Sequence, residues 1–360
     1  MKARGLMKVV LLSLVVALTL GRTSAALAQP GEFVKGVLQP LADGFPNKPI
    51  TIIVVDEPGS RDGIYARTMQ EACRGISPVD ILVSDEEVAQ GGSFYKMTDL
   101  EKRPGGNQGY FPFIFDLWGS SLDPLMEPVK EETGKDIDDL QAIISTEAIP
   151  YFVMQNKNVP WGPTWADFLK YANANPGKVK YGSSGPGSGT DIACSYILSK
   201  AGVLDKLKKI TSKNTAEASK NIAAGAGDIG CTDTQRMIPH HEAGRVTPLM
   251  WTGTQVPPPY DKDTNIVTWE KAGIAKGTLG SIIGICTIKE VPKAHVDWLF
   301  KLFKAAAATE VYKKREKTYP GLVINILTPE EAQKIPKQMQ GYADPIIHDL
   351  GLALDQEKKK

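Results

Sequence analysis

The sequence predicts an α/β fold of mostly parallel sheets flanked by helices. Short β-branched runs alternate with helical segments along most of the 360 residues, the pattern of repeated strand–helix units. The runs are continuously apolar, as in strands covered on both faces. The segments between them carry the glycine, serine and proline that end strands and open helices.

Taken in order, ITIIVV (50–55) reads as a buried strand, followed by a loop (56–62) and a helix (63–74). VDILVS (79–84) is the second strand and YFPFIFDLW (110–118) the third, with Pro112 marking an irregular or edge start. IISTEAIPYFVMQ (143–155) is extended, as a segment crossing between two lobes would be. PTWADFLKYANANPG (163–177) is a helix closed by Asn-Pro-Gly. KVKYGSSGPGSGTD (178–191) is a strand, a glycine–serine loop and a helix start; the helix over 191–201 stops at Gly202. Residues 206–209 read as a solvated helical run of lysines. GDIGC (227–231) is a strand, TDTQRMIPHHEAG (232–244) a short helix, TPLMWT (247–252) a strand and QVPPPYDKDT (255–264) a surface loop. GSIIGICTI (280–288) is a buried strand, and helices over 291–315 and 328–352 follow. Thr328 and Glu331 form a capping box for the last of them.

The start of the chain stands apart. MKARGLMK is basic, VVLLSLVVALTLG is apolar, and Ala26-Leu27-Ala28 offers a small-residue cleavage point before Gln29. Residues 1–28 are therefore expected to be a secretory signal peptide cleaved after Ala28, and 29–44 a flexible leader. The apolar run is shorter than the ~20 residues of a membrane span, and no lipid-anchoring cysteine follows it. A soluble, exported chain is the expectation, long enough for two cored domains.

A net charge of +1 without a basic stripe argues against a nucleic-acid partner. Cys73, Cys194, Cys231 and Cys286 lack metal or redox spacing. Export permits bridges and four cysteines allow three full pairings. Cys194–Cys231 is the first pair to test, because both flank site loops of one domain. Catalytic signatures are absent: the glycine–serine loop fails both the nucleophile elbow and the phosphate-loop pattern. Residues 261–265 lack the later positions of a calcium loop. His240 and His241 point to different sides of a helix, and His295 and His348 stand alone. No catalytic residue, metal or cofactor is expected.

The glycine–serine loop carries the functional signal. Backbone amides at a helix start form an anion site, and Ser183, Ser184, Ser188 and Thr190 add hydroxyl donors. A carboxylate accepting two to four such bonds gains about 1.5–3 kcal/mol from each, whereas micromolar binding needs only about −8 kcal/mol in total. Trp118, at the end of the third strand, is placed either to stack on an aromatic acid or to pack in the core. Trp161 reads as packing near the crossover, and Trp165 and Trp298 as helical core residues.

YGSSGPGSGTDIA, with ADFLKYANANPGKVK before it and IAAGAGDIGCTDTQRMIPHHEAGRV after it, resembles the solute-binding proteins of tripartite tricarboxylate transporters, the Bug family. NIVTWEKAG (265–273), FPNKPITIIV (45–54) and GYFPFIF (109–115) resemble further elements of that family in the same order. The resemblance implies a two-lobed periplasmic binding protein, a Venus flytrap closing on a small organic carboxylate. Lobe 1 would take 45–145, lobe 2 146–250, and 251–360 would return mainly to lobe 1 with the C-terminal helices. The implied partners are transporter membrane subunits met transiently, and the implied state is a monomer.

Carried over by position, Ser183, Ser184, Gly187 and Ser188 match the family's second ligand loop, and Asp191 stands where histidine is frequent. Thr232 and Asp233 fall on a polar pair after a strand. The first ligand loop becomes Gly59-Ser60-Arg61-Asp62-Gly63, preceded by Asp56-Glu57. Arg61 is placed to fork a ligand carboxylate, to neutralise those acids, or to stand solvated. Rival readings are a ligand-presenting partner of a membrane sensor, a secreted enzyme using Asp191 or Asp233, and a cation binder using the acids.

Overall fold

Among residues 29–56, 60–86 and 92–357, which the computed structural model describes, eleven strands share one continuous mixed sheet. The expected signal peptide, together with Glu57 and Gly59, lies outside the described residues.

Residues 29–44 are not a loose leader. Strands β1 (Phe33–Val34) and β2 (Val37–Leu38) form a small antiparallel hairpin, with Leu38 buried. Trp298 donates its indole N–H to Gln39 O at 2.8 Å, and Lys301 reaches Gly31 O at 3.0 Å. The Phe45 ring stacks on His295 at 4.0 Å, and His295 bridges Asp43 and the Gln108 carbonyl. Burial of Leu38 and Phe45 offsets the entropy of fixing this segment, a gain its polar composition concealed.

The first half runs β3 (Ile50–Val54), α1 (Arg61–Ala72), β4 (Ile81–Asp85), α2 (Gly92–Lys102) and β5 (Phe113–Asp116), the expected order apart from α2. β3 lies between β4 and β5, parallel to both. Two short helices, α3 (Asp123–Met126) and α4 (Val129–Thr133), lead to β6 (Leu140–Asn156), a 17-residue strand.

The second half repeats the scheme with α5 (Trp165–Ala174), β7 (Lys180–Ser183), α6 (Gly189–Lys200), β8 (Lys208–Thr211), α7 (Thr215–Ala223), β9 (Ile229–Asp233) and α8 (Thr234–Glu242). β7 pairs in parallel with β8 and β9. β10 (Val246–Trp251) and β11 (Val267–Thr268) add to its edge. The chain returns through β12 (Gly280–Ile288), α9 (Lys293–Ala307), α10 (Glu310–Thr318), β13 (Val323–Leu327), α11 (Pro329–Ala332) and α12 (Ile335–Asp349).

β6 belongs to both halves. Its residues up to Pro150 pair with β12 and β13, and those from Tyr151 onward pair with β9 and β10. All these pairings are antiparallel, as is β12 with β5. The sheet is thus parallel in its two outer trios and antiparallel where it crosses, a departure from the mostly parallel expectation. Apolar composition reports that a strand is buried but not which way it runs.

Other segments differ from expectation as well. Residues 208–211 form an edge strand rather than a helix, because Lys209 turns inward to an acid described below. The helix over 291–315 breaks at Ala308, and Thr309 caps the second piece. α2 and α7 went unread from sequence, although Asn214 caps α7 by accepting from Glu217 N. The Thr328–Glu331 capping box is present, but it caps only α11, and the helix expected over 328–352 restarts at Ile335 as α12. Each half has its own apolar core, with Trp298 in the first and Trp165 in the second. Among the described residues no helix is long and apolar enough to cross a membrane.

Candidate functional site

The parallel strands of both halves end on a common cleft of about 540 Å³, with an adjoining recess of about 200 Å³. That is where open α/β sheets hold ligands. The first turns of five helices line it: α1 through Arg61, α2 through Ser93, α6 through Gly189, α7 through Thr215 and α8 through its cap Asp233. Short polar residues start these helices. Ser60 Oγ accepts from Gly63 N at 3.1 Å, Ser188 Oγ from Asp191 N at 3.2 Å, and Asp233 Oδ1 from Arg236 N at 3.0 Å. One cap satisfies one orphan amide, and each terminus keeps a partial positive charge of about half a unit.

The glycine–serine loop forms one wall. Ser184 and Ser188 share a hydroxyl–hydroxyl bond of 2.7 Å. Gly187 has φ +77°, and a Cβ there would sit 2.7 Å from Met126 Sδ. A Cβ on Gly189 would come within 3.0 Å of Gly119 Cα and of Trp118 Nε1. Both positions therefore need glycine, one for conformation and one for close approach.

Beneath the wall lies Asp191, fully buried. Its carboxylate accepts from Ser183 Oγ at 2.7 Å and Tyr181 OH at 2.8 Å, and pairs with Lys209 Nζ at 2.8 Å. Burial, reinforced by the Asp191 charge, raises the Tyr181 pKa well above its usual value. The acid therefore acts as an anchor: it fixes Ser183 at the loop's start while its own backbone N–H holds Ser188 at the loop's end.

On the opposite wall Arg61 is held by Asp62 at 3.0 Å, Ser281 Oγ at 2.7 Å and Asp116 at 3.5 Å. Asp116 also accepts from Trp118 N and Ile282 N. Burial alone would lower the Arg61 pKa, but Asp62 and Asp116 hold it well above the ordinary value. Most of the guanidinium is thus engaged by neighbouring acids and Ser281. In the recess Ser281 Oγ also meets Tyr151 OH at 3.1 Å, and Arg236 pairs with Asp233.

The sequence profile described as "Tripartite tricarboxylate transporter family receptor" matches residues 129–340. The chain belongs to that family. It is 24% identical over 216 residues to the "UPF0065 protein in gbd 5'region" of Cupriavidus necator, an alignment spanning 60% of this chain and 62% of that relative. Its fold is similar to that of the periplasmic binding protein BugD (TM-score 0.66, 20% identity, 86% of this chain and 99% of the other). It is also similar to R. palustris Rpa4515 with adipate (TM-score 0.67, 18% identity, 86% and 99%).

Against this frame of a family receptor, the expected site residues divide. Arg61, Ser184, Gly187, Ser188, Thr190 and Asp233 line the cleft or its recess. Ser183, Asp191 and Thr232 do not, because their side chains are spent beneath the floor; Thr232 accepts from Ser219 Oγ at 2.8 Å. Trp118 is a core residue, donating to Gly189 O at 3.0 Å. Ser60 caps α1, and Gly59 falls outside the described residues. Sequence reasoning missed Asp116, Tyr151, Thr215, Arg236 and Ser281. Asp116 alone carried a signal, since it ends an apolar strand where cleft loops begin.

Cys194 and Cys231 are joined, their Cα atoms 5.6 Å apart, and the bridge ties α6 to β9 under the cleft floor; Cys73 and Cys286 are free and buried. Replacing both bridge cysteines by serine is expected to cost about 2–4 kcal/mol, measured by urea unfolding. A change within experimental error would mean that the bridge adds nothing to packing already in place.

Proposed function

We propose that the chain is a periplasmic solute receptor that captures a small organic carboxylate between its two lobes and delivers it to the membrane subunits of a tripartite tricarboxylate-type transporter. The observation that carries this reading is the convergence of five helix N-termini on one cleft, an arrangement that favours an anion without a free arginine. Family membership and the adipate of the R. palustris relative support it. The placement of the two acids that a rival enzyme reading would use supports binding over turnover. Asp191 is buried against Lys209, and Asp233 caps α8 and pairs with Arg236, so neither is placed to move a proton on a ligand.

The strands of lobe 1 lie within 50–150 and 280–327 and those of lobe 2 within 151–268, and α12 packs on the core of lobe 2. The exchange runs through Pro150 on β6 and its partner Gly280 on β12. The receptor acts as a monomer, and ligand shifts it toward the closed form by touching both walls.

The lining also limits the ligand's charge. Asp56, Asp62, Asp116, Asp123 and Asp233 face Arg61, Lys213 and Arg236 around the cleft and recess. This excess of acid over base favours a mono- or dicarboxylate over a tricarboxylate. Thermal unfolding of ligand-stripped protein with a panel of acids tests the reading. A melting temperature raised by at least one mono- or dicarboxylate, and less by citrate, is expected. No shift with any acid contradicts it.

A further inference from the structure

A second cavity, of about 350 Å³, lies behind Trp118 and away from the cleft. The indoles of Trp118 and Trp269, the rings of Tyr196 and Tyr342, and Met339 form its walls, and the exposed Lys276 stands on its rim. Both indole N–H groups are already used, Trp118 on Gly189 O at 3.0 Å and Trp269 on Gly277 O at 2.8 Å. The two indoles therefore offer the cavity apolar surface only, and its polar groups are the tyrosine hydroxyls, Thr278 and Gln338. Tyr342 is 62% exposed, more than any other large hydrophobic residue described. Lys276 forms no ion pair among the described residues. A second cation, Lys200, lies 5.6 Å from the Tyr196 ring centroid.

We propose that this cavity is a second ligand site, one that takes a small aromatic monocarboxylate. Its size falls within the range of small-molecule pockets, which are mostly apolar with a few placed polar groups. Flat rings pack against indole and phenol faces with favourable offset or edge contacts, and the Lys276 ammonium supplies the counter-charge for a carboxylate at the rim. The feature that separates this site from an incidental void is its wall. Trp118 holds Gly189, the first residue of α6, and Ile192 of the same helix lines the cavity. An occupant would thus press on the helix whose N-terminus faces the cleft, and any coupling between the two sites would be reciprocal.

Calorimetric titration of the folded protein with 2-naphthoate tests the proposal. The wild type is expected to bind with a Kd below about 1 mM. Lys276→Glu and Tyr342→Ala, both at exposed positions, are each expected to weaken binding at least tenfold. The cleft variant Ser184→Ala, which keeps the α6 cap, should leave the affinity within twofold. No binding by about 5 mM, indifference to Lys276→Glu, or a loss that follows the cleft variant instead would each overturn it. Because 2-naphthoate is assigned here to the rear cavity, failure of this site leaves the cleft's response to other acids to be read separately.

Discussion

Lys209→Met is expected to destabilise the protein by about 3 kcal/mol, at the lower end of the cost of breaking a buried ion pair. Asp191 is fully buried, whereas the Lys209 side chain is about one-third exposed (32%), so the penalty comes from stranding the carboxylate rather than from losing the attraction. Unfolding by urea and by heat would read it, with a fall in melting temperature on the order of 5–10 °C. The double variant Asp191→Asn/Lys209→Met is expected to recover most of the loss. The amide oxygen can still accept from Ser183 and Tyr181, and no charge remains under the loop. If the single variant melts with the wild type, the pair does not hold the glycine–serine wall. A double variant no better than the single one would mean that the hydrogen bonds, not the charge balance, set the cost.

Ser184→Ala with Ser188→Ala is expected to weaken carboxylate binding about ten- to a hundredfold, equivalent to one charge-assisted hydrogen bond of about 1.5–3 kcal/mol. The two hydroxyls are bonded to each other at 2.7 Å, so between them only one proton is left for a ligand. Either serine alone still has one hydroxyl proton to offer, so the single variants should each lose less than half of what the pair loses, the non-additivity of groups that act as a unit. Ser188→Ala should also cost about 1 kcal/mol of stability by removing the α6 cap, which separates the two serines in a melting experiment. Titration of each variant with an acid identified in the thermal screen decides the matter. Additive losses would mean that each serine reaches the ligand independently, and unchanged affinity would move the site off this wall.

The sequence makes some layers of this structure readable and hides others. Strand–helix alternation, the long crossover over 143–155 and the 280–288 strand are all recognisable, because burial on both faces leaves continuous apolar runs. The glycine–serine loop is equally visible, since the left-handed backbone at Gly187 and the close approach at Gly189 admit little else. Strand direction is not visible, which is why the sheet reads as mostly parallel although β6 and β12 run antiparallel to their neighbours. Nor is the destination of a polar side chain. Asp191 and Ser183 carry the residue types of a ligand site yet bond each other beneath it, and Lys209, which neutralises that acid, reads as a solvated lysine. The Arg61 environment is hidden for the same reason: Ser281 lies 220 residues away along the chain, and no local pattern reports such a contact. The residues 29–44 look loose because they are held by long-range contacts from Trp298, Lys301 and His295 and by the burial of Leu38, none of which leaves a periodicity to read.

The most direct test is native mass spectrometry of the protein isolated from cells without refolding, followed by release and identification of anything bound. One small organic acid per chain is the expected result, with no more than two carboxylates, lost from the Ser184→Ala/Ser188→Ala variant. A chain that carries a tricarboxylate retained by that variant, or a non-acidic solute in the cleft, would contradict the assignment of the helix-lined cleft to a weakly charged carboxylate.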